Sequence, residues 1–118
     1  MDIFIVEDDA DIGALIAKEL SVLGHRPVVL DSFEGLFCRL ENGDVPDIII
    51  IDQHVGSEDA VSGMVPKALR HMGFKGQLIL HTHILEQSLE AAGFSEFVMK
   101  SPFTDWRLAL NTVHGADQ

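Results

Sequence analysis

The sequence predicts one α/β domain built on a five-stranded parallel sheet with helices on both faces. Three observations carry that expectation. Short apolar runs recur about every 20 to 25 residues and alternate with longer amphipathic stretches. The runs are continuous rather than alternating, as strands buried on both faces should be. No repeat, low-complexity tract or Pro/Ser/Gly-rich linker divides the 118 residues. The chain therefore reads as a single domain over 1–118, with no room for an output domain of ordinary size.

Each element has its own local reason. Ile3-Phe4-Ile5-Val6 is the first strand, followed by a helical stripe of Ile12, Leu15, Ile16, Leu20 and Leu23 that Gly24 closes. Pro27-Val28-Val29-Leu30 is the second strand. Ser32 caps a helix carrying Phe33, Leu36, Phe37 and Leu40, which ends at Gly43. Cys38 sits among these apolar residues and reads as a small buried hydrophobe. Ile48-Ile49-Ile50-Ile51 is the strongest strand signal, and a polar loop from Gln53 to about Ser62 follows it.

Met64, Val65, Ala68, Leu69 and Met72 mark a third helix ending at Gly73, where Pro66 is tolerated in the first turn. Leu78-Ile79-Leu80 is the fourth strand. A short helix through Leu85, Leu89 and Ala92 stops at Gly93, and Phe97-Val98-Met99 is the fifth strand. Thr104 caps a last helix with Asp105 in its first turn, carrying Trp106, Leu108, Leu110 and Val113. The sequence leaves open whether Trp106 joins the core or a partner-facing surface.

Composition narrows the function classes. Nineteen acidic residues against eight basic give a formal charge of −11, which repels a phosphate backbone and argues against nucleic-acid binding. One cysteine excludes an internal disulfide and fits a reducing, cytoplasmic setting. The longest aliphatic run is Ile48–Ile51, too short for a membrane span, and no signal peptide is visible at the N-terminus.

Right-handed crossovers make such a sheet doubly wound, with the common strand order 2-1-3-4-5 and a ligand crevice between the first and third strands. The residues that end the strands would meet there. The first strand runs into Glu7-Asp8-Asp9, the third into Asp52, the fourth into Thr82 and the fifth into Lys100. Glu7, Asp8 and Asp52 crowd like charges into one crevice. A hard divalent cation with oxygen ligands relieves the repulsion, and a few carboxylates plus waters suit Mg²⁺. Asp52 could then act as a nucleophile toward a phosphoryl group, with Lys100 neutralising charge and Thr82 donating a hydrogen bond. Asp9 and Asp11 read instead as helix-cap residues.

Taken together, Ile5-Val6-Glu7-Asp8-Asp9, Pro46-Asp47-Ile48-Ile49-Ile50-Ile51-Asp52, Leu80-His81-Thr82, Ala92-Gly93-Phe94 and Phe97-Val98-Met99-Lys100-Ser101-Pro102-Phe103 resemble the receiver domain of two-component response regulators. The resemblance spans essentially the whole chain and implies a flavodoxin-like (βα)₅ fold. It implies that Asp52 is the phosphoacceptor and that Asp8 binds Mg²⁺ directly. Glu7 would do so mainly through water, and the backbone carbonyl of His54 would be a further ligand. Thr82 and Lys100 would sense the phosphoryl group, and Phe97 matches the aromatic switch position, where ordinary packing is the plainer role.

The implied partners are a histidine kinase or histidine phosphotransfer protein and a downstream protein target, with no nucleic acid and no membrane. No enzyme activity is implied beyond the chain's own aspartyl phosphorylation and dephosphorylation. Departures from the family pattern are also visible. Gly56 and Ala60 stand where a proline and a glycine are usual, Gly63 comes late, and bulky His83 follows Thr82 where a small residue is normal. They motivate an alternative, a receiver-fold binding module that works without phosphorylation. His54, His81 and His83 read as surface or half-buried histidines rather than a zinc site.

Overall fold

The computed structural model describes residues 1–52, 54–55, 58–59, 65–82, 96–99, 104–107 and 109–110, with 54, 58–59, 82 and 96–99 described by their backbone. In chain order the elements are β1 (Asp2–Val6), α1 (Ala10–Val22), β2 (Arg26–Leu30), α2 (Phe33–Glu41) and β3 (Ile48–Asp52). They continue with β4 (His54–Val55), β5 (Glu58–Asp59), α3 (Val65–His71), β6 (Gln77–Thr82) and β7 (Glu96–Met99). Residues 106–107 and 109–110 are helical as well. Among the described residues, no helix is long and apolar enough to cross a membrane.

Five strands form one parallel sheet in the order β2-β1-β3-β6-β7. Allowing for the two short strands inserted after β3, this is the expected 2-1-3-4-5 order of a flavodoxin-like doubly wound sheet. β3 lies at its centre and is buried at every residue. At the edge, β2 is only partly covered, and there Pro27 costs the sheet little, because edge strands leave one row of N–H groups unpaired.

Strand alternation sorts the side chains into two cores. Phe4, Val6, Ile49, Ile51, Leu78 and Leu80 meet Phe33 and Leu36 of α2 and Leu69 of α3 on one face. On the other face Ile3, Ile5, Ile48, Ile50 and Ile79 meet Ile16 and Leu20 of α1, together with Trp106 and Leu110. Trp106 is thus a core residue. Cys38, by contrast, is exposed. Two residues beyond buried Leu36 it lies about 200° around the helix, away from the stripe that faces the sheet.

The segment after β3 also departs from the plain loop expected there. His54 pairs with Asp59 and Val55 with Glu58 in a small antiparallel ladder. The intervening dipeptide in the sequence, Gly56-Ser57, is of a kind that short hairpins favour. The predicted helix through Leu85–Ala92 lies outside the described residues.

Asp47 ties the lower ends of three strands together. Its N–H donates to the Asp2 carbonyl at 2.8 Å, its carbonyl accepts from Gln77 at 3.2 Å, and its carboxylate accepts from the Asp2 N–H at 2.9 Å. Gly76 packs so closely here that a Cβ would overlap the Asp47 carbonyl and press on the Phe74 ring at 2.7 Å. Arg70 secures the same turn by donating to the carbonyls of Phe74 and Gly76. Gly76→Ala should therefore destabilise the domain by about 1–3 kcal/mol, the range for overpacking a fixed backbone contact. Urea denaturation of the two proteins measures it.

At the same end Arg26 Nε donates to Asp2 Oδ1 at 2.6 Å. That hydrogen bond holds the Asp2 carboxyl below its ordinary value of 3.8. A folded value below the unfolded one means that the pair's contribution is present above the unfolded value and fades as pH falls through the folded one. Arg26→Gln should return the Asp2 midpoint to the ordinary range in an NMR titration. High salt should have the same direction of effect, because the pair is exposed.

Candidate functional site

The sheet register fixes which strand-end residues meet. Val6 pairs with Ile51, so the residues that follow, Glu7 and Asp52, stand side by side at the carboxyl edge of β1 and β3. The Glu7 N–H continues the ladder to β2 by donating to the Leu30 carbonyl at 2.9 Å. Oxygens of Glu7, Asp8 and Asp52 all lie within 4.8 Å of one another. Glu7 and Asp52 are buried, whereas Asp8 is exposed, so the cluster opens to solvent on the side of Asp8. Glu7 Oε2 and Asp52 Oδ1 are out of contact with solvent.

Local geometry explains why Asp9 does not join the cluster. Its side chain caps α1, with Oδ1 accepting from the Asp11 N–H at 3.0 Å and from the Ile12 N–H at 3.2 Å. The Asp9 N–H in turn donates to Glu7 Oε1 at 3.3 Å. Gly13 lets α1 settle this close to the sheet. A Cβ there would come within 2.8 Å of Val29 Cγ1 and 3.8 Å of Glu7 Cβ.

The remaining sequence-predicted residues distribute as follows. Thr82 ends β6 and pairs in register with Met99, the residue before Lys100 in the chain. Lys100 itself and His83 lie outside the described residues. Phe97 is in β7, in register with Leu80. His54 opens β4 two residues past Asp52. Sequence reasoning missed the state of His81. It is buried and pairs in register with Asp52. Its ring meets the Trp106 ring at 5.4 Å between centroids, tilted by 59°. The available signal was strand period, which sets His81 two residues beyond core Ile79 on the same face. A separate groove of about 580 Å³ runs between α1 and the last helical residues, past Leu15, Lys18, Val22, Trp106 and Arg107.

The donor set fits a hard divalent ion. Three carboxylates supply oxygen ligands only, with no thiolate or imidazole in the group, which suits Mg²⁺ or Ca²⁺ better than Zn²⁺.

Comparisons with known structures agree on the fold. A two-component response regulator from Clostridium difficile is 15% identical, with 98% of this chain and 93% of that one covered and a TM-score of 0.81. Response regulator TrrA from Thermotoga maritima, solved in complex with Mg(2+)-BeF, is 21% identical over 95% of this chain and 97% of that one, with a TM-score of 0.79. The receiver domain of a Francisella response regulator is 22% identical over 99% and 98%, with a TM-score of 0.77. No protein-family model and no curated protein sequence matches the chain. The fold is that of response regulator receiver domains.

If the cluster holds Mg²⁺, saturating the folded state at about a hundredfold the Kd should stabilise it by about 2.7 kcal/mol. Thermal unfolding with Mg²⁺ and with a chelator measures this, and Asp8→Asn should lose most of the increment.

Proposed function

We propose that the chain is a receiver that takes a phosphoryl group on Asp52 from a phosphohistidine. The donor would be a histidine kinase or histidine phosphotransfer protein, and the output contact with a downstream protein. The observation that carries this reading is the burial of Asp52 at the carboxyl end of β3, within one 4.8 Å cluster with Glu7 and Asp8. The receiver fold and the resemblance in the strand-end motifs support it.

In this reading an Asp52 carboxylate oxygen attacks the phosphorus, and the N–P bond breaks with its electron pair returning to the donor imidazole. The product is an aspartyl phosphate, which water later hydrolyses to inorganic phosphate and the free carboxylate. Glu7, Asp8, Asp52 and the His54 carbonyl would hold Mg²⁺, which would supply positive charge to the transferring oxygens. Thr82 would donate its hydroxyl and Lys100 its ammonium to the phosphoryl group, with Phe97 as the aromatic that responds. The chain would catalyse only this gain and loss of its own phosphoryl group, in a cytoplasmic setting.

The β4–β5 hairpin directly after Asp52 favours a second reading, a binding module on the same fold that works without phosphorylation. Intact-mass analysis after incubation with acetyl phosphate and Mg²⁺ separates the two. One added phosphoryl group is expected, absent without Mg²⁺ and absent in Asp52→Asn. A wild-type chain that stays unmodified by acetyl phosphate and by candidate phosphohistidine donors would favour the binding module.

A further inference from the structure

We infer that His81 couples the occupancy of the acidic site to the last helix through its ring contact with Trp106, an inference that rests on the phosphoryl-accepting reading above. Among the described residues, the buried polar side chains are Glu7, Asp52 and His81. All three belong to one row across the carboxyl edge of the sheet. Glu7 and Asp52 follow the paired residues Val6 and Ile51, and Asp52 pairs with His81. Register partners in a parallel sheet share a face, and neighbouring strands lie about 4.8 Å apart. The imidazole therefore stands beside the Asp52 side chain, on the face that α1 and Trp106 cover.

Phosphorylation would turn a single carboxylate charge into a phosphoryl group of roughly −1.5 to −2. In a buried, low-dielectric row, the nearest polar ring feels that change far more than a solvated one would. The His81 ring also meets the Trp106 ring, 5.4 Å between centroids. Trp106 is packed with Ile16 and Leu20 of α1 in the same core. A close-packed protein interior passes a shift of one ring to the next rather than absorbing it. Trp106 also lines the groove beside α1, so the displacement would reach the surface there. By register, Phe97 belongs to the neighbouring row, paired with Leu80, whereas His81 pairs with Val98. His81 is in this sense a positioning residue, acting through Trp106.

Trp106 is the one tryptophan in the chain, so its emission reports on the pair directly. The test follows Trp106 fluorescence and intact mass together, with acetyl phosphate and Mg²⁺, in wild type and His81→Leu. Wild type should change emission in parallel with the gain of the phosphoryl group. His81→Leu should gain the same mass yet lose half or more of the emission response, a separation that a merely structural role would not produce.

Phosphorylated wild type with unchanged emission would overturn the inference, and so would a leucine variant that responds in full. A wild-type chain that gains no mass overturns the phosphoryl reading itself and this inference with it, and the mass alone tells that failure apart. Should the leucine variant fail to fold, the ring-proton resonances of His81 and Trp106 in wild type decide. Movement on phosphorylation supports the coupling, and fixed resonances overturn it.

Discussion

The burial of β3 on both faces governs everything else in this molecule. Ile48, Ile49, Ile50 and Ile51 are shielded from water almost completely, and each such side chain contributes about 1.5–3 kcal/mol to folding. Both faces of β3 carry isoleucine, so a one-residue slip against β1 is opposed chiefly because it would draw the carboxylate of Asp47 or Asp52 toward the core. The register is therefore held firmly, and with it the position of the first residue past the isoleucines. Asp52 is buried because the strand before it is buried.

That arrangement has an electrostatic cost. The chain carries a formal charge of −11, and two of its carboxylates, Glu7 and Asp52, are removed from solvent beside a third, Asp8. Burying a charge costs several kcal/mol unless partners offset it. A crevice that concentrates carboxylates at the switch point of a doubly wound sheet is suited to a cation and to chemistry on an anionic group. Asp9 shows how narrowly the cluster is drawn. One residue further along, the same side-chain type turns away to cap α1.

The α1 face connects this crevice to the rest of the fold. Gly13 allows the helix to approach β1 and β2 closely, and Ile16 and Leu20 carry the contact on to Trp106 and Leu110. His81 joins that layer at the level of Asp52. The polar row and the aromatic contact therefore belong to the same layer as α1, whereas α2 and α3 pack on the opposite face.

Much of this was legible in the residues. The apolar runs announced five strands and the glycines closed the helices, as their positive φ angles at Gly24, Gly43 and Gly73 bear out. The double winding followed from the handedness of crossovers and the strand order from the common pattern of such sheets, and Glu7, Asp8 and Asp52 from their place at strand ends. These features depend on local periodicity and on chirality, which a sequence carries directly. Packing direction is different, because it depends on which neighbour arrives from elsewhere in the chain. Cys38 looked apolar by its company yet faces solvent. His81 looked like a surface or half-buried histidine yet is buried against Trp106, and the polar stretch after Asp52 pairs with itself as β4 and β5. The sequence by itself determined the strand runs, the layers they form and the carboxylates at their ends. Only the tertiary structure decided which side chains share a face and are shut away from water, because burial is a property of surfaces that meet.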